Sequence, residues 1–152
     1  MYSKAEAAQL RQAFWTTFGQ YMAPVPSAEG ETINWINYRT GLKYVQLRLR
    51  AEGRRATIGL ELVHPDADIR ALHYEQLQAL STMLLPIPGQ TWDWQSEAEE
   101  NGQPMSRVQQ QLDGVSPLNR EDWPALISFF KPRLLALDEF WSQARYPLED
   151  LM

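Results

Sequence analysis

The sequence contains no cysteine, which excludes disulfide bonds, thiolate metal sites and cysteine nucleophiles. It also lacks any apolar run approaching the roughly 20 residues that a membrane-spanning helix needs. The first residues, MYSKAEAAQLRQAF, do not contain the apolar stretch of a signal peptide. These absences lead us to expect a cytoplasmic protein that does not associate with membranes.

Basic residues are the minority among the charges: 14 Lys and Arg stand against 19 Asp and Glu, for a net charge of -5. An acidic balance argues against a nucleic-acid partner, because such binding usually depends on a basic surface. With 152 residues, of which 44% are hydrophobic, we expect residues 1–152 to form a single domain around one core. Six Trp, six Tyr and five Phe predict either a well-filled core or an adhesive surface.

The stretch KYVQLRLRAEGRRATIGLELV, residues 43–63, alternates apolar and polar side chains with the period of a β-strand. Its polar centre contains Gly53, which suits a tight turn. The pattern predicts a hairpin that folds about Glu52-Gly53, so that Leu47 pairs with Ile58 and Val45 with Leu60. All the apolar residues then share one face.

Elements on both sides of this hairpin extend the domain. A helix is predicted over residues 4–22, opened by a capping box of Ser3 and Glu6. A strand over residues 32–38 is predicted to join the hairpin in a three-stranded meander. Asp66 is a predicted N-cap of a second helix, which reaches about Leu85.

The C-terminal half predicts a second hairpin and a third helix. The hairpin strands, 91–98 and 104–112, turn at Asn101-Gly102, and the polar strand RVQQQL suggests an edge position. The last helix is capped by Asp122 or Asn119, and Pro132 is expected to kink or split it. The fold class is therefore α+β, with a largely antiparallel sheet and three helices in the order α-β-β-β-α-β-β-α.

The open face of the predicted meander is the first candidate site. Aromatic and arginine side chains alternate there, a composition typical of protein interfaces. We expect this face to contact a protein partner or a second copy in a two-fold dimer, through Trp35, Tyr44, Arg48, Arg50 and Glu61.

A second candidate site lies around the end of the hairpin, where Glu61, His64 and Asp66 come close in sequence. Imidazole and carboxylate groups serve in both metal and acid–base sites. A closed zinc site wants four ligands, however, and one imidazole with one well-placed carboxylate falls short of that. We therefore expect no bound metal and no cofactor.

Several segments identify a family resemblance that extends from Tyr2 to about Tyr146. The chain resembles a family of bacterial proteins known as domain of unknown function 4268, through the segments Phe14-Trp15, Asn34-Trp35, ELVHPD at 61–66, Asp122-Trp123-Pro124 and Phe129-Phe130-Lys131-Pro132-Arg133. The family has no settled activity, so the resemblance carries over no catalytic residue. Related domains resemble C-terminal partners of nuclease-like modules.

The expectation from the whole sequence is a non-enzymatic accessory or binding domain that associates with itself. The alternative is a metal-dependent enzyme related to restriction nucleases, either degenerate or using an unrecognised site at Glu61, His64 and Asp66.

Overall fold

The computed structural model describes residues 2–87 and 89–151. It is built from three α-helices, four strands and two short 3-10 turns. In chain order these are α1 (Lys4–Met22), β1 (Val45–Glu52), β2 (Arg55–Leu62), α2 (Ala67–Ala79), a 3-10 turn (Ser81–Met83), β3 (Asp93–Glu100), β4 (Gln103–Asp113), a 3-10 turn (Arg120–Asp122) and α3 (Trp123–Glu149). Across these residues, no helix combines the length and apolar character needed to cross a membrane.

The first two helices begin where their capping residues predict. The Ser3 hydroxyl accepts a hydrogen bond from the Glu6 amide at 3.1 Å, and the Glu6 carboxylate accepts one from the Ser3 amide at 3.4 Å. Asp66 accepts hydrogen bonds from the amides of Asp68 and Ile69 at the start of α2. The regular part of α2 ends at Ala79, earlier than expected, and continues as a 3-10 turn.

The third helix runs unbroken through Pro132. The expectation that proline would split the helix is therefore wrong. Phe130 and Leu134, which flank the proline on the inner side, are both completely buried, so core packing holds the two halves in line. Arg133 donates to the Phe129 carbonyl at 2.9 Å, which supplies a partner beside the proline that lacks an N–H.

The strands form one antiparallel sheet in the order β1-β2-β4-β3. The first hairpin forms as predicted, but its register differs: Leu47 pairs with Leu60, and Glu52 closes the turn against Arg55. Gly53 lies inside this two-residue turn with φ of 61°. A register shift of two residues leaves every side chain on its predicted face, so the apolar face is confirmed although the pairing was wrong.

Residues 32–38 do not form the predicted strand, and the three-stranded meander is absent. Asn34 accepts hydrogen bonds from the amides of Ile36 and Asn37 at 3.2 and 3.1 Å. This local turn uses backbone groups that a strand would present to its neighbour. The α+β class and the antiparallel sheet are confirmed, with the element order α-β-β-α-β-β-α.

The polar strand β4 occupies the middle of the sheet, between β2 and β3, and is not the edge that its composition suggested. Polar side chains are tolerated there because they find partners on both faces. Gln110, which is 2% exposed, accepts a hydrogen bond from Arg133 at 2.6 Å. Val108 supplies the apolar contact between β2 and the helices.

The helices all cover one face of this sheet. α3 packs on β2, α2 packs on β2, β3, β4 and α3, and α1 packs on α3. The core joins the apolar sheet positions to helix residues such as Phe14, Phe130 and Leu137. The opposite face of the sheet is left without a covering helix.

Candidate functional site

The face without a helix is polar from edge to edge, and we call it the uncovered face. Strand alternation and the observed pairing place side chains from all four strands on it. These residues are Gln46, Arg48, Arg50, Glu52, Arg55, Thr57, Gly59, Glu61, Asp93, Gln95, Glu100, Arg107, Gln109, Gln111 and Asp113.

A buried ion pair lies at the centre of the uncovered face. Both guanidinium nitrogens of Arg50 donate to the carboxylate of Glu61, one of them at 3.0 Å. Glu61 is only 2% exposed, and its carboxylate raises the pKa of Arg50 by hydrogen bonding. The two residues stand in rows on either side of Gly59, so the pair extends across a position that has no side chain.

A second ion pair connects β4 to the end of β3. Arg107 donates to Glu100 at 2.8 Å and to the amide oxygen of Gln95 at 2.8 Å. The hydrogen bond from Arg107, together with the charges of Arg50, Arg107 and Arg55, lowers the pKa of Glu100. Glu100 therefore remains ionised and bound to arginine over a wide pH range.

These pairs border a shallow depression of about 390 Å³ in the uncovered face. Gln109 and Gln111 on β4 and Thr57 on β2 line its floor. Gln109 lies against Gly59, where an added β-carbon would be 2.8 Å from that of Gln109 and 2.3 Å from the Val108 carbonyl oxygen. The surface is thus held in place by ion pairs and by close contact between β2 and β4.

The structure separates the aromatic residues of the first predicted site from the arginines. Trp35 is 2% exposed and packs in the core, where its indole N–H donates to the Val25 carbonyl at 2.9 Å. Tyr44 lies at the end of the hairpin far from the turn, with its ring 4.3 Å from that of His64. Arg48, Arg50 and Glu61 do share the uncovered face.

The residues of the second predicted site have separate roles. Glu61 is bound to Arg50, and Asp66 caps α2. The imidazole of His64 accepts a hydrogen bond from the Asp66 amide at 3.0 Å through Nδ1. Within the ranges 2–87 and 89–151, no group of three or more His, Asp or Glu side chains is placed to hold a metal ion.

His73 stands out beside His64, with the two rings 5.9 Å apart. It is completely buried, and neither ring nitrogen has a hydrogen-bond partner in the described part of the chain. A neighbouring cavity of about 350 Å³ is lined by Leu42, Tyr44, His64 and Ile69 as well as by His73. Both nitrogens are shielded from solvent, so a molecule in this cavity does not reach them.

The matched family supports the architecture as a unit. A family model described as Domain of unknown function (DUF4268) matches residues 10–145. The chain belongs to this family. Comparison with curated proteins and with solved structures gives no match. The family match extends from α1 to α3 and therefore includes every strand of the uncovered face.

Sequence reasoning missed the contribution of β3 and β4 to the uncovered face. Arg107, Glu100 and Gln109 complete it, yet none of them was a candidate. The signal was present in the Asn101-Gly102 turn, because the hairpin it closes places Arg107 opposite Gln95. The pairing of β4 with β2 joins that hairpin to the first, and this pairing has no local signal.

Proposed function

We propose that the protein is a non-enzymatic, cytoplasmic binding domain that contacts a protein partner, most simply a second copy of itself, through the uncovered face. The observation that carries this proposal is the placement of all three helices on the opposite face of the sheet. The uncovered face is thereby available across four strands.

The charge pattern of the uncovered face favours a protein partner. Arginines and carboxylates are interspersed on it, with Arg50 beside Glu61 and Arg107 beside Glu100. A surface with both signs can match a copy of itself across a two-fold axis. Duplex nucleic acid presents only negative phosphates and would meet Glu52, Asp93 and Asp113 unfavourably.

The ordering of the side chains supports binding in preference to catalysis. Glu61 and Glu100 each have an arginine partner, which fixes their positions before any partner arrives. Fixed side chains lose less conformational freedom on association, and this lowers the cost of binding.

A pair of matched substitutions tests the proposal. Thr57→Lys places a long charged side chain in the depression, whereas Thr17→Lys makes the same change on the exposed side of α1. We expect sedimentation equilibrium to show self-association of the parent protein, and Thr57→Lys to weaken it by about tenfold or more through steric and charge conflict.

The control variant Thr17→Lys should associate like the parent, and both variants should keep the parent's far-UV circular dichroism. A parent protein that stays monomeric, or a Thr57→Lys variant that assembles as well as Thr17→Lys, would show that the uncovered face is not the contact surface.

A further inference from the structure

Strand β1 forms an open edge of the sheet. The carbonyl of Tyr44 accepts from the Val63 amide on β2's side. Val45, the next residue, turns its backbone the other way: its amide donates to the Leu42 carbonyl, and its carbonyl accepts from the Thr40 hydroxyl at 2.6 Å. Since the direction alternates along an antiparallel strand, the amides and carbonyls of Leu47 and Leu49 point outward, away from β2.

A groove of about 500 Å³ runs along this edge, and we call it the edge groove. It is lined by β1 residues 45–49, by loop residues 36–39 and by Trp15 of α1. Trp15 and Ile36 are half-buried and give the groove an apolar side, while Arg39 and Arg48 are exposed on its rim. A strand laid beside Leu47 and Leu49 would therefore meet apolar surface on one side and arginine on the other.

The charge around the edge groove is opposite to that of the whole protein. Residues 32–51 contain four basic side chains, Arg39, Lys43, Arg48 and Arg50, and no Asp or Glu. The chain as a whole carries a net charge of -5. Because the excess of positive charge is local, it favours an acidic partner at this edge.

The other edge of the same sheet shows how an acidic strand is held. Strand β3 carries Asp93, Glu97, Glu99 and Glu100 and pairs with β4 in antiparallel orientation. Its attachment combines backbone hydrogen bonds with the ion pair between Arg107 and Glu100. At the β1 edge, Arg48 is exposed and its guanidinium bonds only to the neighbouring Gln46 at 3.1 Å.

We propose that an extended acidic segment of a partner protein binds in the edge groove as a fifth, antiparallel strand beside β1. The backbone of Leu47 and Leu49 supplies the hydrogen bonds. Alternate apolar side chains of the segment pack toward Trp15 and Ile36, and its acidic side chains face Arg48. This site depends on the edge and not on the uncovered face, so it stands whether or not that face binds a partner.

The antiparallel geometry predicts which amides of the segment take part. Residues opposite Leu47 and Leu49 share their side of the sheet, so they are the apolar residues of the segment. The amides of these residues point at β1. The amides of the acidic residues point away from it.

A capped octapeptide of alternating Val and Glu is the probe for this geometry. Titration into the ¹⁵N-labelled protein should shift the amide signals of Leu47 and Leu49 and the indole signal of Trp15. Peptides N-methylated at Val should lose binding, whereas peptides N-methylated the same number of times at Glu should retain it. A peptide in which Lys replaces Glu should not bind.

Variants of the protein complete the test. We expect Arg48→Glu to weaken binding of the Val–Glu peptide by about tenfold, and Arg11→Glu, the same change on the exposed side of α1, to leave binding unchanged. Absence of shifts at saturating peptide, or equal tolerance of both N-methylation patterns, would overturn the proposal. Displacement of the peptide by self-association of the protein would assign the edge to a second copy and would also overturn it.

Discussion

His73 is an expensive residue for the core of this protein. It lies on α2 with no exposed surface and without a hydrogen-bond partner for either ring nitrogen among the described residues. An unsatisfied buried polar group costs about 1–3 kcal/mol. Burial, with a smaller contribution from the charge of His64, lowers the pKa of His73, so the folded state holds this imidazole in its neutral form.

Substitution of His73 should reveal that cost through its pH dependence. The unfolded chain binds a proton at an ordinary imidazole pKa of about 6.5, whereas the folded chain resists protonation. As the pH falls below that value the unfolded state binds more protons, and the free energy of unfolding declines. We expect His73→Leu to remove this decline, so that its advantage over the parent is larger near pH 5.5 than near pH 8.

Urea denaturation at several pH values measures the effect. The matched variant His64→Leu changes the neighbouring histidine, which is less buried, and should leave most of the decline in place. If the parent and His73→Leu lose stability equally as the pH falls, His73 is not the group responsible.

At the scale of elements, the long segment between α1 and β1 is ordered without being a strand or a helix. Side chains bind its backbone at several points: Trp35 donates to the Val25 carbonyl, and Trp141 on α3 donates to the Thr40 carbonyl at 2.8 Å. Asp138 on α3 adds two more bonds, from the Tyr38 hydroxyl at 2.6 Å and from the Ala28 amide at 2.7 Å. This attachment positions the side of the edge groove formed by residues 36–39.

Removal of the Asp138 carboxylate should loosen this segment. Asp138 is only 4% exposed, so Asp138→Ala leaves the Tyr38 hydroxyl and the Ala28 amide without their partner. We expect a loss of about 2–3 kcal/mol in the free energy of unfolding, against about 1 kcal/mol for Tyr38→Phe, which removes a single hydrogen bond. Hydrogen exchange at the Ala28 amide should accelerate in Asp138→Ala and stay slow in Tyr38→Phe.

Tyrosine ionisation gives an independent check on this attachment. Burial and the Asp138 carboxylate both raise the pKa of Tyr38 far above its ordinary value. Tyr38 should therefore remain un-ionised in the folded parent while exposed tyrosines titrate, and it should titrate earlier in Asp138→Ala. Unchanged Ala28 exchange together with unchanged tyrosine titration would contradict the role given to Asp138.

At the scale of the whole molecule, one core connects every element. The cluster includes Phe14 from α1, Trp35 from the long segment, Leu47 and Leu60 from the first hairpin and Val108 from the second. Residues of α3 such as Leu137 contact this same cluster. A core shared in this way links the stability of each element to that of the others.

We therefore predict that the protein unfolds as a single cooperative domain. Tryptophan fluorescence and far-UV circular dichroism should give superimposable urea denaturation curves, because the buried tryptophans and the helices lose their environment together. Two separated transitions, or fluorescence that changes before the circular dichroism, would show that part of the chain folds independently.

Local patterns were sufficient for much of the architecture. Period-two alternation placed Leu47 and Leu60 on the buried face, where they are 5% and 0% exposed. The capping residues Ser3 and Asp66 marked the starts of the first two helices. Asn101-Gly102 marked the second turn, where both residues have positive φ. Each of these features depends on neighbours within a few residues, so the sequence alone determines it.

Contacts between distant residues decided the rest. Trp35 alternates with its neighbours as a strand residue would, but the Asn34 turn and the bond to Val25 direct it into the core. The glutamine-rich β4 became a central strand because β2 and β3 pair on its two sides and Arg133 satisfies Gln110. The uncovered face and the edge groove follow from those placements. The sequence by itself determined the elements and their apolar faces through short-range sterics and capping, whereas only tertiary packing decided which strands meet and which polar surface stays open.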